Sequence, residues 1–165
     1  MILVALGANL PSPVHGGPVG TLTAALAEMN RQGIAILEAS AWYETAPVPI
    51  SDQPWYVNAV AAVATALDPA ALLTALHRIE ATFGRVRDVV NGPRILDLDL
   101  LAYDDRYSTD WPVLPHPRLQ DRAFVLLPLH DVAPGWRHPV SGEAIETMLS
   151  RIGPEQQTRR LAGQL

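Results

Sequence analysis

The sequence predicts an α+β domain, a mainly antiparallel sheet with helices packed on it. Three observations carry this. Apolar runs of strand length and character occur at Ile2 to Leu6, Ile34 to Tyr43, Trp55 to Leu67 and Ile95 to Tyr103. Two stretches between them, Thr21 to Arg31 and Asp68 to about Phe83, place apolar residues at helical spacing. The order is therefore strand, helix, strand, strand, helix, strand and a tail, the split βαβ order of a ferredoxin-like plait.

Each element has its own local reason. Ile2 to Leu6 ends at Gly7-Ala8-Asn9, a turn signal. Pro11 to Gly20 holds three prolines and three glycines and reads as loop. In the first helix Leu22, Ala25, Leu26 and Met29 share a face, and Gly33 closes it. Three prolines between Thr45 and Pro54 forbid regular structure. Asp68-Pro69 is a helix start, with the aspartate as N-cap and proline in the first turn. Leu72, Leu73, Leu76, Ile79 and Phe83 then line one side until Gly84. Arg85 to Arg94 reads as a polar loop, Asp104 to Pro117 as mostly loop, Phe124 to Leu129 as an apolar run, and Glu143 to Ile152 as a short late helix. The tail from Arg137 onward is expected to complete the core with that helix and an edge segment.

The chain has 165 residues, so a single domain spanning 1–165 is expected. Apolar residues make up 48% and charged residues 18%, a globular balance. No cysteine is present, which excludes disulfides, thiolate metal sites and cysteine nucleophiles. All 12 basic residues are arginine, so a Walker A loop, a kinase strand lysine and a Schiff-base lysine are excluded too. A net charge of −5 speaks against nucleic acid as a partner. No apolar run approaches the roughly 20 residues of a membrane span, and Met1 to Leu6 lacks a signal-peptide n-region. A cytoplasmic protein with no membrane partner is expected.

The most informative stretch is Gly84-Arg85-Val86-Arg87 followed by Gly92-Pro93-Arg94-Ile95-Leu96-Asp97-Leu98-Asp99-Leu100. Alternation sends Leu96, Leu98 and Leu100 to one face and Asp97 and Asp99 to the other, their Cα atoms about 7 Å apart. Two magnesium ions lying between such a pair and a polyphosphate would neutralise it, and a plain solvated strand face accounts for the doublet equally well. Arg85, Arg87 and Arg94 lie upstream and Arg118 and Arg122 downstream, and guanidinium forks suit phosphate oxygens. For any one of them a surface ion pair is the simpler reading. His116 sits between Pro115 and Pro117, where it suits phosphate binding or proton transfer. His15, His130 and His138 have no partner at a recognisable spacing and read as surface. Trp42, Tyr43, Trp55, Tyr56, Asn58 and Phe124 suit a flat heteroaromatic ring, although strand aromatics are usually core. Asn58 inside an apolar strand is the odd residue, because a buried amide needs partners.

Taken together these residues resemble the 6-hydroxymethyl-7,8-dihydropterin pyrophosphokinase family. The resemblance runs from Ala5-Leu6-Gly7-Ala8-Asn9-Leu10 to about Pro134. It includes Tyr43-Glu44-Thr45-Ala46-Pro47, Asp52-Gln53-Pro54-Trp55-Tyr56-Val57-Asn58, Ile79-Glu80, the Gly92 to Leu100 block, Leu114-Pro115-His116-Pro117-Arg118 and Arg122-Ala123-Phe124-Val125-Leu126. It implies transfer of pyrophosphate from ATP to 6-hydroxymethyl-7,8-dihydropterin, with AMP released, in folate biosynthesis. It implies that Asp97 and Asp99 hold two Mg2+ ions, and that Arg85, Arg94, Asp97 and Asp99 form the catalytic set. ATP contacts fall on His77, Arg87, Arg94, His116 and Arg122. Pterin contacts fall on Thr45, Pro47, Val48, Tyr56, Asn58 and Phe124. Arg85 and Arg87 lie on a loop that closes over ATP in the family. Asn91 and His77 stand where some members carry tryptophan and glutamine.

Two readings from other classes stand beside it. A ferredoxin-like ligand-binding module has the same fold but no need of a carboxylate pair facing arginines. A magnesium-dependent phosphohydrolase needs a water-activating base and no aromatic pocket. If Asp99 takes the hydroxyl proton, Asp99→Asn turns over far more slowly at saturating magnesium, and near-normal turnover refutes that role.

Overall fold

The structure, a computed structural model, describes residues 1–47, 49, 51–84 and 95–161. Arg85, Arg87, Asn91, Arg94 and Val48 from the sequence reading lie outside them. Among the described residues six strands, β1 (Ile2–Ala8), β2 (Ala35–Ala39), β3 (Tyr43–Thr45), β4 (Tyr56–Ala64), β5 (Asp97–Tyr103) and β6 (Thr158–Arg160), form one sheet in the order β5-β1-β4-β3-β6. Every pairing is antiparallel, and β2 also pairs with β4. The helices α1 (Pro18–Arg31), α2 (Pro69–Thr82), α3 (Ala123–Val132) and α4 (Ile145–Leu149) cover both of its faces. This is the expected antiparallel plait with a further helical layer on its second face.

Residue alternation explains the two cores. Val4 and Leu6 of β1, Ala59 and Ala61 of β4 and Leu98 of β5 face α1 and α2, where Leu22, Met29, Leu72, Leu76 and Ile79 are buried. Leu3, Val60 and Leu101 point the opposite way and meet Val125, Leu126 and Leu129 of α3 with Ile145 and Met148 of α4. β4 lies between neighbours on both edges and has helices on both faces, so Val57 through Val63 are all buried. Each such Val or Leu contributes roughly 1.5–3 kcal/mol. The α2 start is as predicted: the Asp68 carboxylate accepts from the Ala71 N–H at 2.8 Å, a cap worth about 1 kcal/mol.

Several boundaries differ from expectation. Ile34 to Tyr43 is two strands, not one. Ser40 breaks it: its hydroxyl accepts from the Val60 N–H at 3.0 Å and donates to its neighbour's carbonyl, so a side chain takes over a ladder position. The following N–H, of Ala41, turns to Asp131 of α3. The strand predicted over Trp55 to Leu67 spans Tyr56–Ala64, and that predicted from Ile95 begins at Asp97. β5 carries a bulge, since Leu3 faces Ala102 while Val4 faces Leu100, and its alternation is clean only up to Leu100. The apolar run at Phe124 is the helix α3, with Pro128 inside it. The late helix shortens to α4, and the tail adds β6 at the sheet edge. His15 is exposed, as expected, whereas His130 has a partner in Glu146 and His138 is half-buried against Trp136.

Candidate active site

At one end of the sheet, on the α3 face, a single row of paired residues crosses three strands. Asp97 of β5 lies opposite Gly7 of β1, and Gly7 lies opposite Asn58 of β4. One step along, Asp99 lies opposite Ala5. Small residues on β1 thus separate the carboxylate pair from the amide and leave the floor open. An open cavity of about 360 Å³ stands on that floor, within the size range of small-molecule sites.

The cavity brings together most of the residues singled out in the sequence. Asp97 and Asp99 are half-buried at its base. Thr45 and Pro47 form one wall with Tyr56 and Asn58, and His116, Arg122 and Phe124 form the other. Among the aromatics, Trp42 and Tyr43 are core, as the simpler reading had it, whereas Tyr56 and Phe124 line the cavity. His77 lies on α2 outside the lining, with its ring 6.5 Å from that of Trp111.

Each wall is fixed by identifiable bonds. Asn58 is buried and donates from Nδ2 to the Thr45 hydroxyl at 2.7 Å, so the odd amide has its partner on the adjacent strand. Asn9, also buried, donates to Gln53 Oε1 at 3.0 Å and to the Pro54 carbonyl, and Tyr56 donates to the same Gln53 oxygen at 3.3 Å. Asn9 and Gln53 thereby hold the Tyr56 ring by its hydroxyl. Behind the carboxylates, Glu80 of α2 is buried and accepts from the Leu98 N–H at 2.7 Å. β5 is an edge strand, so this N–H points away from β1, and Glu80 pins the one residue between Asp97 and Asp99.

His116 is placed by its backbone N–H, which donates to the Leu101 carbonyl of β5 at 2.8 Å. Its Nδ1 accepts from the Arg118 N–H at 3.1 Å, which puts the imidazole proton on Nε2. Burial, followed by the Arg122 charge, pulls its pKa down to about 4 against the opposing pull of Asp97. With that shift His116 presents a neutral Nε2–H donor at pH 7. The Arg122 guanidinium sits 5.4 Å above the Phe124 ring, a cation–π contact that orders both groups.

Gly7, Gln53, Glu80 and Gln156 are site residues that the sequence reading did not assign. Glu80 had a signal, a carboxylate on the apolar side of a helix just before Gly84. Gly7 had one only as a turn former. Among the described residues no cluster of three or more His, Asp or Glu is arranged to hold a metal ion. Two carboxylates facing an open cavity still suit magnesium, which takes one or two carboxylates and leaves its other positions to phosphate and water.

Fold and site together define a class: an α+β plait with a carboxylate pair, a cationic wall and a ring-sized cleft on one sheet face. A family model described as 7,8-dihydro-6-hydroxymethylpterin-pyrophosphokinase (HPPK) matches residues 3–134, and the chain belongs to that family. A 2-amino-4-hydroxy-6-hydroxymethyldihydropteridine pyrophosphokinase of Pseudomonas aeruginosa is 41% identical over 98% of this chain and 97% of its own length. One of Methylorubrum extorquens is 42% identical over 74% of this chain and 77% of its own. A folic acid synthesis protein of Pneumocystis carinii is 37% identical over 92% of this chain, which spans only 20% of that longer protein. In structure, the HPPK-DHPS of Plasmodium falciparum superposes on 91% of this chain with a TM-score of 0.70 at 15% identity, covering 42% of that chain, which shows the fold. No helix among the described residues is long and apolar enough to cross a membrane.

Proposed function

We propose that this chain transfers pyrophosphate from ATP to 6-hydroxymethyl-7,8-dihydropterin, releasing AMP, as a step of folate synthesis. The observation that carries the reading is one cavity lined both by Asp97, Asp99, His116 and Arg122 and by Tyr56, Asn58 and Phe124. A polyphosphate needs the first set and a flat heteroaromatic ring the second. Family membership disfavours both a non-catalytic module and a phosphohydrolase.

In this reading Tyr56 and Phe124 hold the pterin ring by its faces, and Asn58 and Thr45 address its edge together with Pro47 and Val48. Arg122 and the neutral His116 Nε2–H contact phosphate oxygens, the first by charge and the second as an uncharged donor. Arg85, Arg87, Arg94 and His77 belong to the ATP side on the strength of the family motif alone. Asp97 and Asp99 would hold two magnesium ions, which when bound neutralise the triphosphate and polarise its β-phosphorus. The hydroxymethyl oxygen then bonds to the β-phosphorus, the bond from that phosphorus to the α–β bridging oxygen breaks, and AMP leaves with the electron pair. Asp99 takes the hydroxyl proton. Orientation of the alcohol between two rings supplies much of the rate, because two bound reactants need no further search.

We further propose that residues 1–165 act as one pyrophosphokinase domain, without nucleic acid or membrane, in the cytoplasm where ATP is available. Nucleotide products from ATP and magnesium, with and without the pterin, test the activity. Pterin-dependent AMP with no ADP is expected. ADP or free phosphate refutes pyrophosphoryl transfer, and an unchanged ATP pool refutes catalysis.

A further inference from the structure

The segment after α4 does more than finish the sheet. Arg122 occupies the N-cap position of α3, and no side-chain cap bond is made there. An arginine side chain has no acceptor to offer, and this one lines the cavity, so it cannot cap the first helical N–H, that of Ala123. Gln156 supplies what is missing. Its Oε1 accepts from the Ala123 N–H at 3.0 Å, and its Nε2 donates to the Asp121 carbonyl at 2.8 Å. One side-chain amide therefore grips the backbone on both sides of Arg122, one residue short of Phe124.

The same segment reaches the opposite wall. The next residue's carbonyl, that of Gln157, accepts from the Ala46 N–H at 3.1 Å, and Thr158 pairs with Thr45 in the sheet. Residues 156–158 thus tie the Arg122–Phe124 wall to the Thr45–Ala46 wall across the cavity. They lie beyond residue 134, where the family match ends.

We propose that Gln156 is a positioning residue: it sets where Arg122 and Phe124 stand relative to Thr45 and Asn58. The effect on catalysis rests on the pyrophosphokinase reading, whereas the grip itself does not. Both walls must be set for in-line attack, and displacement of a reacting group by about 1 Å can cost a hundredfold in rate.

The test uses the full chain with Gln156→Met, which keeps length and bulk but loses both bonds, and Gln156→Ala, which controls for the methionine side chain. Amide exchange at Ala123, followed by NMR, reads the grip directly. Initial rates with ATP and pterin varied in turn read its consequence, and thermal unfolding reads overall folding. We expect faster Ala123 exchange in both variants, kcat/KM at least tenfold lower for both substrates, and wild-type exchange within the β1–β4 ladder. Gln156→Glu, which keeps the acceptor, retains slow Ala123 exchange. Unchanged Ala123 exchange in Gln156→Met and Gln156→Ala overturns the proposal, as does faster exchange with kcat and both KM values within twofold of wild type. A wild-type chain that forms no pterin-dependent AMP refutes the pyrophosphokinase reading instead, and the exchange rates then decide the grip alone.

Discussion

His116 makes the site's electrostatics measurable without any substrate. Its folded pKa is lowered from 6.5 to about 4, first by burial and then by Arg122. An unfolded chain takes up this proton as pH falls through 6.5, and the folded chain holds out until about 4. Between those values the unfolded state binds more protons, so stability rises with pH and is lost on acidification. At about 1.36 kcal/mol per pH unit the displacement is worth about 3 kcal/mol. Because the ring is only half-buried and Arg122 is partly screened by solvent, 2–3 kcal/mol is the working figure, roughly. The perturbation is His116→Gln, which removes the titration and keeps an amide donor near the Nε2 position. The assay is urea unfolding at steps from pH 7.5 to 4, followed by tryptophan fluorescence, since Trp42 is buried. At pH 7.5 the two proteins differ only by a constant offset from the lost Arg118 N–H bond. Toward pH 4 the wild type loses the extra 2–3 kcal/mol, roughly, and the variant does not. A difference between the two that is flat with pH, or that grows in the opposite direction, refutes the assignment of a neutral, desolvated imidazole.

Three further perturbations probe the frame around the cavity. In Gly7→Ala the new Cβ stands 2.7 Å from Asn58 Oδ1, so the amide must shift and its bond to Thr45 is lost; the KM for pterin rises at least tenfold while that for ATP changes little, and an unchanged pterin KM refutes the role given to this floor. Glu80→Ala takes the acceptor from the buried Leu98 N–H, at a cost of about 1–3 kcal/mol, and loosens the strand between Asp97 and Asp99. Its magnesium requirement rises severalfold, Glu80→Gln stays near wild type, and equal magnesium curves for all three proteins exclude a positioning role. Tyr43→Phe removes the hydroxyl that donates to Asp131, and chemical denaturation should show a loss of about 1–3 kcal/mol. Burial and Asp131 push the Tyr43 pKa up to about 12, so in the wild type its contribution is present below pH 10 and is lost as pH climbs toward 12.

How much of this was legible in the sequence depends on how local its cause is. Period-two alternation placed Asp97 and Asp99 on one face, and the Asp68-Pro69 cap placed the start of α2, because both are written in adjacent residues. The break at Ser40 was not legible, since it needs Val60 and Asp131, which are 20 and 91 residues away. The helix at α3 was hidden by its own composition: Ala123 to Val132 is apolar on almost every side, so a helix wedged between the sheet and α4 carries no period to read. At the site, residue types were legible and the bonds that aim them were not. Tyr56 and Arg122 stand in recognisable motifs, yet the groups that hold them are Asn9 with Gln53 and the distant Gln156.

That division has a physical origin. A residue that touches substrate is restricted to the few side chains able to do the chemistry, so it leaves a signature in a single sequence. A residue that holds another by one amide or one carboxylate needs only an acceptor or donor of suitable reach, and many backbone routes can deliver it. Gly7 belongs with the first kind, although it carries no functional group. With Asn58 Oδ1 only 2.7 Å from where a Cβ would be, any larger residue displaces the Asn58 amide. The open floor between carboxylates and amide is therefore encoded by a residue with no functional group, and it reads as a turn glycine until the strand pairing is known.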